Sequence, residues 1–487
     1  MWLRKAERFE SAAFILFSIL TVGSLLAAIF FAQPLLILLP VIAMIGWYTL
    51  NDFRTVFFLT LALLPLSIEL EIGGSTTDMP VEPATIGLMF VFIIFSLTSK
   101  EKLPRAFYQH PLILLLLAHM LWIGAAVFYS SNVLVSLKFF LAKTWYVLVF
   151  TFLATLLIRN LKDFKRAFFF LLIPTLLTVV IILIRHARMH FEFDEVNAAV
   201  MPIYRNHVNY SALLALLLPF AVAGRFWFPK NSRKRFWMNV SILLLLTGIF
   251  FAYTRTQWLA VFLMPFYFFI LKNRLTKWIL AGSGVLVLFF VIWLSRQNHF
   301  LKFAPDFEHT IYHERLGEHL EATYQLEDVS SAERLYRWVA GARMFEKKPV
   351  CGYGPGNFYE FYRPYTVDEF ETYVSDNEEK STVHNTFLQV LIEQGIIGFM
   401  IFISFITAIL IAGERIYHQT KQKEEKMFLL AVMMSMMVML INLFLGDMME
   451  ASKVGPVFFL LIALLVGHDL RNRNLVPKSA DDQVRAE

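Results

Sequence analysis

Apolar runs long enough to cross a bilayer recur from one end of this 487-residue chain to the other. A helix needs about 20 such residues to span the hydrocarbon core, with roughly 17 to 25 tolerated. On that criterion about fourteen candidate spans are read. They lie at 12–32, 34–50, 55–70, 84–98, 111–129, 135–158, 166–185, 208–224, 236–253, 256–272, 277–295, 386–413, 427–446 and 455–468. The second, fourth and last are short or interrupted. Backbone groups inside lipid must be satisfied within the segment, which leaves helices as the way to use these runs. The expected fold is therefore an all-α polytopic membrane protein with about 12–14 transmembrane helices. Composition agrees: 57% of residues are hydrophobic and 17% charged, whereas soluble domains carry about 25% charged residues.

Charge between the runs tests the map independently, because cytoplasmic loops retain Lys and Arg. Counting from a cytoplasmic N-terminus, the inside loops hold Lys100, Lys102 and Arg105; Arg159, Lys162, Lys165 and Arg166; and Arg225, Lys230, Arg233, Lys234 and Arg235. Lys272, Arg274 and Lys277, then Arg415, Lys421, Lys423 and Lys426, continue the alternation, and the tail adds Arg471, Arg473 and Lys478. Both termini are expected in the cytoplasm. The formal charge of +6 is thus a topological signal and implies no nucleic-acid partner. The first run carries no cleavage pattern and is expected to stay as a span. The single cysteine, Cys351, excludes an internal disulfide.

One extramembrane segment, Asn298 to His384, is expected on the outer side, and loops that long are usually functional. Ser330 to Lys347 reads as an amphipathic helix, with Ser330 and Glu333 spaced as a capping box. Its predicted apolar stripe is Leu335, Trp338, Val339, Ala342 and Phe345, and Gly352 to Gly356 then predict a tight turn. The expected organisation is an N-terminal bundle (1–200), core spans (201–297), the large loop (298–384), C-terminal spans (385–470) and a polar tail (471–487). No phosphate-binding loop, dinucleotide fingerprint or nucleophile elbow is present.

Several residues break the pattern. Arg185, Arg188, Arg205 and Arg255 lie on the expected outer side, against the charge rule. A guanidinium offers a planar fork of donors that fits phosphate oxygens; the alternative is snorkelling to lipid headgroups. His384 precedes a span in which Asn385, Gln389 and Glu393 share one helical face. Imidazole titrates near neutrality and suits a general base, or it caps the helix through a backbone carbonyl. His186 and His190, with Asp194 and Glu195 nearby, have a spacing that binds metal on a helix, but no tight third ligand accompanies them, and no metal or cofactor is expected. The loop aromatics, Tyr353, Phe358, Tyr359, Phe361, Tyr362, Tyr365 and Tyr373, either stack on sugars or pack on one another. Lys138 and Lys143 inside a span favour a transporter or a wet groove.

Four pieces of sequence, in order, carry a family resemblance. They are Arg205-Asn206-His207-Val208-Asn209-Tyr210 opening a span, and Thr254-Arg255-Thr256-Gln257-Trp258 in a short turn. Glu333-Arg334 then leads into Lys348-Pro349-Val350-Cys351-Gly352-Tyr353-Gly354-Pro355-Gly356-Asn357-Phe358, and His384-Asn385-Thr386-Phe387-Leu388-Gln389 runs on to Glu393-Gln394-Gly395. Over roughly residues 200 to 450 the chain resembles the O-antigen ligase and polymerase superfamily of bacterial envelope glycosyltransferases. One departure is the arginine turn, which usually reads Ser-Arg-Gly in the family.

The resemblance implies a GT-C-like enzyme of the bacterial inner (cytoplasmic) membrane whose active site faces the periplasm. It would take a glycan from an undecaprenyl diphosphate-linked donor and pass it to an acceptor hydroxyl. The preferred acceptor is a lipid A core, as in lipopolysaccharide biosynthesis. Alternatives are repeat-unit polymerisation, transfer to protein hydroxyls or, from a different class, a lipid-linked oligosaccharide flippase. On this reading His384 is the catalytic base and Arg255 clamps the diphosphate, with Arg205 and Arg188 helping. Arg334 on the loop helix, Asn385 and Glu393 complete the substrate-binding set.

Overall fold

The computed structural model describes residues 18–26, 46, 48–49, 51–72, 75–99, 102–296, 329–367, 370, 375, 381–473 and 475. Among them, ten helices are long and apolar enough to cross a membrane. The chain is an all-α, multi-pass membrane protein. The candidate spans 12–32 and 34–50 lie largely outside the described residues.

From the third candidate onward the helices fall on the predicted runs. α1 (Phe53–Leu63) is short and gives way to a hairpin of β1 (Ile68–Ile72) and β2 (Ser75–Met79), antiparallel with Ile68 opposite Met79. The end of the candidate span 55–70 is therefore strand and not helix. Then follow α2 (Val81–Thr98), α3 (Pro111–Phe128), α4 (Val133–Leu157, with a π-helical stretch at Leu148–Leu153) and α5 (Leu161–Arg188). α6 (His207–Gly224), α7 (Arg233–Phe251), α8 (Arg255–Lys272) and α9 (Thr276–Ser295) complete the first part. The loop helix α10 (Val329–Lys347) precedes α11 (Thr386–Gln419), α12 (Lys423–Leu445) and α13 (Gly455–Asn472). α8 has Arg255 and Lys272 at its two ends and is not among the ten.

Capping side chains open many of these helices. Asp52, Asn132, Asn160, Asn206, Ser232 and Asn385 each accept a backbone N–H of the first turn of the helix they precede, which satisfies donors that have no intrahelical partner. α6, α12 and α13 form the centre, with 78%, 72% and 89% of their apolar windows buried, whereas none of the apolar window of α9 is buried. A helix that is apolar all round and touches little protein is covered by lipid.

α10 forms where predicted, but its buried face is rotated from the expected stripe. Tyr336, Ala340 and Met344 are buried, while Ala342 is exposed. The cause is the approach of α11: a Cβ at Gly341 would lie 2.5 Å from the Cδ1 of Ile392, and the Trp338 indole donates to the Val383 carbonyl at 2.9 Å. Glu333 forms an ion pair with Arg337 and accepts from Ser375. Tyr353, Phe358 and Tyr362 are buried with this helix in one small core. Of the two readings of the loop aromatics, packing on one another therefore describes these three; Tyr373 lies outside the described residues.

α11 is broken at Gly395, whose φ of 67° and ψ of −173° are not helical. An unbroken helix would offer the carbonyls of Ile392 and Glu393 to Ile396 and Ile397. Instead they accept from Tyr353 (3.1 Å) and Gly354 (2.8 Å), and the Ile396 N–H turns to the Pro349 carbonyl (2.8 Å). The glycine turn thus completes the ladder that the break opens. It does so with Gly352, Gly354 and Gly356 all at positive φ, a region that side chains avoid.

Alanine at position 395 would set its Cβ 2.0 Å from the Val350 carbonyl oxygen, whereas Gly284 has nothing within 4 Å. Gly395→Ala is expected to cost at least about 1–3 kcal/mol from backbone strain alone. Gly284→Ala is expected to be neutral or to stabilise by up to about 1 kcal/mol. Thermal denaturation of the purified variants in one detergent checks both. Equal melting temperatures for the two would contradict the exchange of bonds at the α11 break.

Candidate functional site

His384 stands two residues before α11 and adopts a positive φ of 52°. Its N–H donates to the Thr382 hydroxyl (3.3 Å), which in turn donates to the Asp447 carboxylate (2.8 Å). Asp447 follows the last turn of α12, and next to it the Gly446 carbonyl accepts both the N–H (3.1 Å) and the hydroxyl (3.0 Å) of Thr386. On the other side lies α10. Arg337 of that helix is buried, donates to the Thr382 carbonyl (3.4 Å) and pairs with Glu333 at 3.0 Å. The short segment carrying His384 is therefore held between the end of α12 and the loop helix.

These neighbours set the imidazole's charge. Burial is the largest influence and pushes its pKa down to about 4; Asp447 opposes this, while Arg337 and Arg334 add to it. Removing an imidazolium from water and placing it near guanidinium groups both favour the neutral ring. His384 is accordingly unprotonated at neutral pH and able to accept a proton.

The arginine turn docks on the same end of α12. Gln257, two residues into α8 from Arg255, is fully buried and exchanges amide hydrogen bonds with Asn442. Asn442 precedes Asp447 by five residues. The turn itself is tight: Tyr253 has a φ of 52°, and its hydroxyl donates to the Phe191 carbonyl at 2.7 Å. The Ser211 hydroxyl of α6 donates to Thr254 at 2.9 Å. Arg185 bonds the carbonyls of Ala198 and Met201. The end of α5, the start of α6 and the start of α8 thus meet, and they carry Arg188, Arg205 and Arg255. Arg188 and Arg205 are exposed and Arg255 is half-buried.

Two predicted binders have local work. Asn385 caps α11, its side-chain Oδ1 accepting from the Leu388 N–H at 2.9 Å. Glu393 is 2% exposed, and its carboxylate accepts from the N–H groups of Gly356 (2.8 Å) and Phe358 (3.2 Å) and from Gln389 (3.4 Å). It clamps the glycine turn onto α11 and has little capacity left for a ligand. His186 is also occupied, with Nε2 2.9 Å from the Glu192 carbonyl oxygen. Among the described residues, no three His, Cys, Asp or Glu side chains gather as a metal site requires.

Sequence reasoning missed Thr382, Arg337 and Asp447. A signal for the last existed: Asp447, Glu450 and Lys453 are the only charged residues between Lys426 and Asp469, and ionisable groups in so apolar a stretch point to function or to a partner.

The family model described as O-antigen ligase matches residues 240–403, from within α7 to the first half of α11. That stretch contains Arg255, Arg334, His384, Asn385 and Glu393. No curated protein matches the chain.

If Glu393 is a clamp, Glu393→Gln sets an amide N–H₂ against backbone donors and should cost about 1–3 kcal/mol. The glycine turn should then loosen first. Limited chymotrypsin digestion is expected to cut after Tyr359, just past the turn, faster in the variant than in the parent chain, at temperatures where both remain folded. Equal rates would mean that the carboxylate does not hold the turn.

Proposed function

We propose that this chain, whose residues 240–403 match the O-antigen ligase family model, transfers a glycan from undecaprenyl diphosphate to an acceptor hydroxyl at the periplasmic face of the inner membrane. The observation that carries this reading is a neutral histidine, held between Asp447 and two arginines, at the bundle end that also presents Arg188, Arg205 and Arg255.

The acceptor hydroxyl gives its proton to the His384 imidazole as its oxygen attacks the anomeric carbon of the donor sugar. The bond from that carbon to the diphosphate oxygen breaks, and undecaprenyl diphosphate departs with the bonding pair. Arg255, supported by Arg205 and Arg188, neutralises the charge that grows on the leaving diphosphate, an effect strongest where water is excluded. The new imidazolium is stabilised by Asp447. Arg334 on α10 walls the site, and Asn385 and Glu393 shape it by holding the start of α11 and the glycine turn. The preferred acceptor is a lipid A core. The intramembrane Lys143, which favoured a transporter, is paired with Glu450, and that weakens the flippase alternative.

His384→Ala and Arg255→Ala should leave the protein inserted and abolish transfer in detergent from an undecaprenyl diphosphate-linked glycan. Normal transfer by either variant at matched amounts would sink the assignment. Glycan analysis of a deletion strain separates the acceptors: polymer left on the carrier lipid means ligase, and single capped repeat units mean polymerase. Because only the neutral ring accepts a proton, kcat/KM should rise with pH through about 4. Asp447→Asn removes a charge that raises the histidine pKa, so the acid limb should move to lower pH; Arg334→Gln should move it up. A limb unmoved by either change would remove His384 from the role of base.

A further inference from the structure

We propose that the ion pair of the buried Lys143 with the half-buried Glu450 is a positioning device for His384, acting through Asp447; this rests on the assignment of His384 as the base. Lys143 lies ten residues into α4, about 15 Å along the axis from its first residue. Its side chain is 3% exposed, it pairs with Glu450, and it lies 5.0 Å from the centre of the Phe139 ring. A charge so deep in an apolar bundle needs a fixed partner. That partner is supplied by the segment Gly446 to Val454, which joins α12 to α13.

The segment is a strap pinned at three points, three residues apart. Asp447 accepts from Thr382, Glu450 pairs with Lys143, and Lys453 donates to the Ser67 carbonyl while lying 4.8 Å from the centre of the Tyr204 ring. Between the first two pins the strap forms one turn, with the Glu450 N–H donating to the Asp447 carbonyl at 3.0 Å. Met448 and Met449 are buried beneath it. Within one hydrogen-bonded turn, whatever fixes Glu450 also fixes Asp447. Charged groups face His384 from two sides: Asp447 from the strap, and Arg334 and Arg337 from α10. Of these, Asp447 is the one that α4 can move. Lys143 touches no reacting atom in this scheme; it sets the geometry of the carboxylate that does act on the histidine.

The test is a cycle with Asp447→Asn in the full-length protein, purified in detergent. Lys143→Met should lower kcat by up to about 100-fold, the scale of a misplaced catalytic group, with KM for the lipid-linked donor changed by less than about twofold. Lys143→Met added to Asp447→Asn should produce no further loss, because the route through Asp447 is already cut. The double variant Lys143→Met/Glu450→Leu leaves no uncompensated charge and should fold, yet show the same loss in kcat. Losses that multiply in the Asp447→Asn background would overturn the proposal, as would full kcat in a folded double variant.

A second readout does not depend on transfer. The pH midpoint for carbethoxylation of the His384 peptide, followed by mass spectrometry, should shift in Lys143→Met as it does in Asp447→Asn. A shift in Asp447→Asn with none in Lys143→Met rejects the strap, whether or not the chain is a transferase. A chain that transfers nothing yet shows matched shifts keeps the strap and rejects the reaction.

Discussion

The large loop is joined to the bundle by an exchange of backbone hydrogen bonds at the break in α11. Gly395 leaves the helical conformation, and the carbonyls it would have buried unpaired are taken by Tyr353 and Gly354. An unpaired carbonyl inside a membrane protein is costly, so break and turn form together or not at all. The Glu393 carboxylate adds a second fastening through Gly356 and Phe358. From that junction α10 is laid along α11 at Gly341, and the path of the chain into His384 follows.

The site end of the bundle is built on α12. Asn442 receives the arginine turn through Gln257, and Asp447 receives the histidine segment through Thr382. A proton acceptor and a set of guanidinium groups thus share one support. In the proposed reaction, deprotonating the acceptor and neutralising the leaving diphosphate would both draw on that support, since misplacement by an ångström is enough to slow such chemistry severely. Rigidity comes from buried amides and backbone bonds, whose satisfaction in an apolar interior leaves little freedom to move.

Much of this was legible from local patterns. The helices from 84–98 onward, the loop helix over Ser330–Lys347 and the glycine turn lie where hydropathy and turn chemistry put them. His384 and Arg255 stood out because charge and imidazole at the ends of apolar runs are costly and uncommon. Less legible was the role of each polar group. Asn385 and Glu393 share a helical face with Gln389, and the family resemblance put them in the substrate-binding set; the structure shows one capping α11 and the other clamping the glycine turn. The stripe on α10 was misplaced for a similar reason, because Gly341 and Trp338, not summed hydrophobicity, decide which side meets α11.

By itself the sequence determined that the chain is a membrane protein, where most of its helices run, and which residues are too polar for their surroundings. Those properties depend on the free energy of moving each short segment from water into lipid, a sum over neighbours in the chain. The tertiary structure alone decided which of the costly groups satisfy one another. Lys143 and Glu450 are 307 residues apart, Gln257 and Asn442 are 185 apart, and Thr382 and Asp447 are 65 apart. No pattern in the chain records such pairings, because a buried charge or amide specifies only that it needs a partner, and packing selects which one.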